Sequence, residues 1–430
     1  MISKARNQIL GEYFLNWFII KCNVDIDFEN LSNSDTHNQL GTFFHEYIHF
    51  LQNASTTYGN MNMKYFYAKT MNILYNIYHS SEKEIKRIVQ NNPYVEFAEN
   101  FYNITMGDVE VWTYDSYDYI RIIDAFFVKD EIYGDEYEQA IVPKLRLQLF
   151  KGGKAEIKEF EFGAMAIMES MTSLLERHFY DKVFVGVQPQ YDICKILWNF
   201  LAPQYKDKEE LIVAACECSL MYENPASIFY NITKHIISRK EKPLNIDDIA
   251  NIFKKSIKPD FEKAHKENFE EMNRLFGDLV PYKNEFCNLL NKYVCNFCNE
   301  LFSLRKSNYH FLSDLMVKTS SDSRRGLLAI MNKTKAMPLI ISKNNEVYSG
   351  HEETDKMGMV SYLAFYSFNK MFGISGNNQC YMLDVCKGIG DDRVNSVCIC
   401  CPWEKVNEKK LCPMAQIWYM WQLQGKKIVD

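Results

Sequence analysis

Two histidines four residues apart, with a glutamate directly after the first, stand at His45-Glu46-Tyr47-Ile48-His49. On a helix, His45 and His49 lie one turn apart on one face, so both rings can reach a single zinc ion at about 2.0–2.1 Å. Glu46 falls about 100° further round. That places its carboxylate beside the ion without forcing it to ligate, as a general base needs in order to take a proton from water that zinc has acidified.

The element that must carry these residues is legible around them. Leu40, Phe43, Phe44, Tyr47, Ile48 and Leu51 recur at helical spacing and predict an amphipathic helix over Thr36–Ala54, with His45, His49 and Gln52 on its polar strip. A catalytic zinc takes three protein ligands and keeps one position open, so a third residue must come from elsewhere. The best candidate is Glu169. The run Phe162–Glu176 predicts an apolar helix on which Glu169, Thr172, Ser173 and Glu176 form one polar stripe at i, i+3, i+4 and i+7. A buried carboxylate is costly unless it is paired or metal-bound. Ser173 or Glu176 can then hydrogen-bond a ligand from behind. Efficient hydrolysis also needs a proton donor or oxyanion partner, for which Tyr58 and His178 are the candidates.

With a helix bearing His45, Glu46 and His49, and a glutamate on a later helix, Glu169, the chain resembles the gluzincin group of zinc metallopeptidases. It departs from that pattern in a longer gap to the glutamate and in Ser173, where an acid often stands. The metzincin pattern is not matched, because Phe50-Leu51-Gln52-Asn53-Ala54-Ser55 follows His49. The resemblance implies a zincin-like catalytic domain with Glu46 as base, zinc polarising the scissile carbonyl, and an edge strand before the motif helix that binds substrate backbone. Trp17–Ile26 is the segment expected to form that strand.

A second group of metal-competent residues lies near the C-terminus: Cys380, Cys386, Cys398, Cys400, Cys401 and Cys412, with proline directly after Cys401 and Cys412. Four thiolates from this set could enclose a structural zinc or carry an iron–sulfur cluster, or the thiols could be free. Cys295 and Cys298, in the helical run Tyr293–Leu304, read as core cysteines.

The totals suit a large packed protein. Of the 430 residues 47% are hydrophobic, whereas Gly (18) and Pro (11) are scarce. This favours a mainly α fold with a small β component, of the α+β class. Lys144–Phe150 and Ala155–Phe162 alternate around Gly152-Gly153 and predict a hairpin. Three parts are expected: a zincin-like domain over 1–183, a helical domain over 184–317 and a Cys-rich segment over 318–430, with the polar run Lys318–Arg325 as linker. A net charge of −6 without a basic block argues against nucleic acid as partner. No export signal or long apolar run is evident, and thirteen cysteines without such a signal suit reduced thiols, so a cytoplasmic protein free of membrane is expected. The expected activity is zinc-dependent hydrolysis of a protein or peptide substrate. The alternatives are a non-catalytic interaction protein stabilised by metal, and a zinc hydrolase of a non-peptide amide or ester.

Overall fold

A computed structural model describes residues 10–15, 17–24, 26, 37–87, 92–127, 141–180, 186–206, 208–238, 245–256, 261–278, 285–334, 338–344, 346–348, 353–372, 378–388 and 390–429. Helices dominate, with a minor β component, so the fold is mainly α within the α+β class. The motif helix α1 spans His37–Ser55 and is followed at once by α2, Thr57–His79. Between them Thr56 caps α2 by accepting from the Gly59 N–H at 3.1 Å. Gly59 packs so closely on Asn53 that a Cβ there would lie 1.8 Å from the Asn53 carbonyl oxygen. The sharp corner between the two helices therefore requires glycine.

The amphipathic pattern of α1 understates its burial. Phe43, Phe44, Tyr47, Ile48, Phe50 and Leu51 are all buried, and so are the polar Gln52 and Asn53. The helix is thus a central strut. Phe44 stacks on Tyr180 and meets Phe179 edge-on, which sets α1 against the helix that bears Glu169. That helix, α3, spans Ala164–Tyr180 and pairs with α4, Pro189–Leu201. Cys194 of α4 donates its N–H to Ser170 Oγ, and Ser170 Oγ donates to Gln190 O, which fixes the register of the two helices.

The predicted hairpin forms from Pro143–Lys151 and Lys154–Glu161, turning through Gly152 and Gly153, both at positive φ. Tyr119–Phe127 completes its three-stranded antiparallel sheet. A four-stranded sheet lies against α1. Its strands β1 (Gly11–Phe14), β2 (Ile19–Cys22), β3 (Leu339–Ile341) and β4 (Val347–Tyr348) run in that order across the sheet. β2 pairs antiparallel with β1 and parallel with β3. The segment Trp17–Ile26, expected at the edge, therefore contributes an interior strand, and among the described strands the edges are β1 and β4.

Between the two sheet-bearing parts the chain is helical, as its periodicity predicts. Helix Ile246–Ser256 opens on a reciprocal cap in which Asn245 and Asp248 each accept from the other's N–H. The polar run Lys318–Arg325 is not a linker. Thr319 caps helix Ser320–Thr334 by accepting from the Asp322 N–H, so its polar residues mark a helix start. The first and last parts of the chain are also interleaved: β2 pairs with β3, and Glu84–Lys86 pairs with Lys427–Val429.

Candidate metal centre

Both motif histidines face α3. His45 Nε2 and His49 Nε2 are 3.2 Å apart, and each lies 3.4 Å from Glu169 Oε2. These three atoms form the one group of at least three His, Cys, Asp or Glu ligand atoms among the described residues that could hold a metal ion. An ion at about 2.0–2.1 Å from each of three tetrahedral ligands needs ligand–ligand separations of roughly 3.3–3.4 Å. The observed spacings match that requirement.

Hydrogen bonding behind the rings explains why a cation is needed. His45 Nδ1 is 3.1 Å from Glu176 Oε2, and His49 Nδ1 is 2.9 Å from Gln52 Oε1. Gln52 is itself held by donating its amide to Met168 O at 3.1 Å, so its oxygen faces the histidine. Both acceptors call for a proton on Nδ1, which turns the lone pair of each Nε2 toward Glu169. Glu169 Oε2 is buried and has no hydrogen-bond partner. Two lone pairs and an orphaned carboxylate oxygen thus point at one another. Such an arrangement is unfavourable unless a positive charge sits among them.

In the metal-free state a proton can take that place. Burial disfavours a charged imidazole at His45, but Glu169 and Glu176 outweigh it and hold its pKa well above the ordinary histidine value. For Glu169, burial acts to raise the pKa, and the two imidazoles overcome it and hold the carboxyl well below the usual range. Proton and metal therefore compete for one place. Metal binding requires neutral imidazoles, so zinc affinity is expected to fall as pH falls, beginning above the ordinary histidine range. A pH titration of the zinc Kd checks this, and a flat profile down to mild acid would contradict it.

Glu46 is not a member of the ligand group. Its carboxylate is buried under β1, where a Cβ on Gly11 would lie 2.9 Å from Glu46 Cγ and Oε1. A glycine at position 11 is what lets the strand pass this close. Burial raises the Glu46 pKa, partly offset by His45 and His49, and the Tyr13 N–H donates to the carboxylate. A base whose pKa is moved up toward neutrality is better matched to proton transfer at physiological pH.

The other residues proposed from sequence divide clearly. Glu176 bonds His45, so α3 grips both nitrogens of one ring. Ser173 is buried on the same helix. Tyr58 and His178 are engaged elsewhere: the Tyr58 hydroxyl meets Thr105 Oγ1 at 3.5 Å, and His178 Nε2 meets Lys318 O and Ser323 Oγ. Two tyrosines that sequence reasoning missed lie beside the histidines. The Tyr191 ring, on α4, lies edge-on to His45 at 6.2 Å, and Tyr114 packs on Tyr191 at 6.1 Å. Burial and then Glu169 raise both hydroxyl pKa values, that of Tyr114 to about 12, so both stay protonated as donors.

Truncating Glu176 to Ala is expected to weaken zinc binding about 10–100-fold, because the His45 ring loses its orienting acceptor. Competition with a chromophoric chelator measures this. Unchanged affinity would show that the Nδ1 contact does not tune the site.

Of the C-terminal cysteines, Cys380, Cys386, Cys398 and Cys412 line one cavity. Cys400 and Cys401 lie outside its lining, with their sulfurs 3.0 Å from each other. Cys298 is buried within helix Glu285–Ser307, and Cys295 is half-buried. Among the described residues no helix is long and apolar enough to cross a membrane. Compared with protein-family models, curated proteins and solved structures, the chain gives no match.

Proposed function

We propose that the chain is a zinc-dependent hydrolase that cleaves peptide bonds, with His45, His49 and Glu169 as the metal ligands and Glu46 as the base. The observation that carries this reading is the division of labour at one site. Three acceptor atoms converge at tetrahedral spacing, and a separate carboxylate, Glu46, one residue from a ligand, stays outside the group. Two imidazoles and one carboxylate suit zinc, and three protein ligands are the number found in catalytic rather than structural zinc sites. When bound, the ion would act as a Lewis acid toward a carbonyl and would acidify water.

The protein's own groups account for the rest. Glu46 accepts a proton from the attacking water and can return it to the departing amine. Tyr191 and Tyr114 keep their hydroxyl protons and can donate to the oxyanion as charge develops on the carbonyl oxygen. Substrate orientation falls to β1. The Asn23 N–H donates to Leu10 O at 2.8 Å, so strand alternation turns the backbone groups of Gly11 and Tyr13 toward the outer edge, where the Tyr13 N–H is taken by Glu46 and the Gly11 N–H and the two carbonyls would serve a substrate. That edge faces Glu46, and an extended peptide added along it would pass the base. This supports a peptide over a small amide or ester as substrate.

The test is to incubate the purified protein with a diverse peptide mixture and map new termini by mass spectrometry. Cleavages that vanish with a chelator and return with zinc are expected. Esterase or amidase activity without any peptide cleavage would overturn the choice of substrate class while leaving the metal site standing.

A further inference from the structure

The cavity near the C-terminus is separate from the His–Glu site in both residues and chemistry. Its lining includes Cys380, Cys386, Cys398 and Cys412, together with Arg393 and Lys405 and the apolar Met382, Leu383, Val394 and Met414. We propose that Cys380, Cys386, Cys398 and Cys412 ligate an iron–sulfur cluster.

Spacing argues for a cluster over a single ion. One zinc ion held by four thiolates at about 2.3 Å draws their sulfurs to within roughly 3.8 Å of one another. Among the described residues the only group of three or more such ligand atoms that close is His45, His49 and Glu169. The four thiols therefore surround one cavity, of about 320 Å³ including its mouth, without closing to the spacing of a mononuclear site. A cluster distributes its thiolates over several irons and holds them further apart, and all-cysteine ligation is its usual form.

The local backbone is arranged for thiolates. The four ligands come from a stretch of short helices and loops: Cys386 from Leu383–Gly388, Cys398 from Val397–Cys400, and Cys412 from the start of Pro413–Met420. The Cys380 N–H donates to Cys398 O at 2.8 Å and ties the first and third ligands together. The Met382 N–H is directed at the Cys380 sulfur, and the Ala415 and Met414 N–H groups at that of Cys412. N–H groups aimed at sulfur are among the contacts that tune a bound cluster. Arg393 and Asp391 in the lining pair at 2.6 Å, and Lys405, almost fully buried, pairs with Glu408 at 2.9 Å, so these charges brace the loops around the four thiols. Loading would release one proton from each thiol as its sulfur bonds iron, with inorganic sulfide completing the iron coordination and added ferric iron, partly reduced by a dithiol, setting the oxidation level of the cluster. The cluster would then clamp a segment that otherwise has little regular structure to hold it.

The experiment is anaerobic reconstitution of the full chain with ferric iron, a dithiol reductant and sulfide, followed by assay of iron and acid-labile sulfide and by visible and EPR spectra before and after reduction. Iron and sulfide in equal amounts, about two or four of each per chain, with visible absorption that bleaches on reduction, are expected. Cys386→Ser and Cys412→Ser should lose the cluster, whereas Cys400→Ser and Cys401→Ser should keep it. Because a ligand variant could simply misfold, alkylation of the unmutated protein supplies the second readout. The four cavity thiols should be protected until the iron is removed, while Cys400 reacts throughout. Stoichiometric zinc without sulfide at these cysteines, a cluster that survives Cys386→Ser, or equal alkylation with and without iron would each overturn the proposal.

Discussion

Glu46→Gln is expected to leave bound zinc in place and to lower kcat by about 10²–10⁴-fold, the span that a positioned general base contributes. Glutamine preserves the shape under β1 and can still accept from the Tyr13 N–H, so the strand and the two histidines should keep their positions. What is lost is the proton acceptor. Because the defect lies in proton transfer, KM should change little. Zinc content and kcat measured on the same preparation decide the matter. If zinc and turnover fell together, Glu46 would be holding the site's structure; if turnover persisted, the base would be another group. A chain in which metal serves only the fold would show no turnover in either form.

The largest stability effect is expected at Arg305, which is buried on helix Glu285–Ser307. Its guanidinium pairs with Glu217 and donates to Ser55 Oγ and Tyr309 O, both at 2.8 Å. Glu217 also accepts the Leu312 and Ser313 N–H groups at 3.1 and 2.7 Å. The cluster joins the C-terminal end of α1 to two parts of the helical region. Arg305→Ala would strand a buried carboxylate, at a cost of about 3–5 kcal/mol. A paired replacement, Glu217→Gln with Arg305→Met, should recover part of that loss, since it leaves no unpaired charge and the glutamine oxygen can still accept from the Leu312 or Ser313 N–H. Denaturant midpoints compare the three proteins. Equal stability of Arg305→Ala and the unmutated chain would show that water reaches this pair.

The parts legible in the sequence were those whose pattern is local. The spacing of His45 and His49 and the apolar residues between them predict a helix over Thr36–Ala54, and the helix runs His37–Ser55. The stripe Glu169–Glu176 works for the same reason: i to i+7 on one helix carries two carboxylates to opposite nitrogens of one imidazole. The hairpin around Gly152-Gly153 is similarly local. What stayed hidden depends on distant pairing. No pattern within Trp17–Ile26 shows that Leu339–Ile341 will add alongside β2, which makes β2 interior and leaves β1 facing Glu46. Tyr191 reaches the site only through packing of α4 on α3, and Tyr114, at the end of the short helix Val111–Tyr114, only through its contact with Tyr191; a lone tyrosine carries no periodic signal. Lys318–Arg325 misled for another reason. Helix caps and linkers draw on the same polar residues, and only the Thr319–Asp322 bond tells them apart.

The central claim is that three side chains from two helices hold one metal ion. Zinc content of the purified protein beside Glu169→Ala tests it most directly, with zinc measured by mass spectrometry after exhaustive buffer exchange. The account predicts that the unmutated protein retains one more equivalent per chain than Glu169→Ala, while both give the same far-ultraviolet circular dichroism. If Glu169→Ala retains as much zinc as the unmutated chain, the ligand is another residue and the proposed site is wrong.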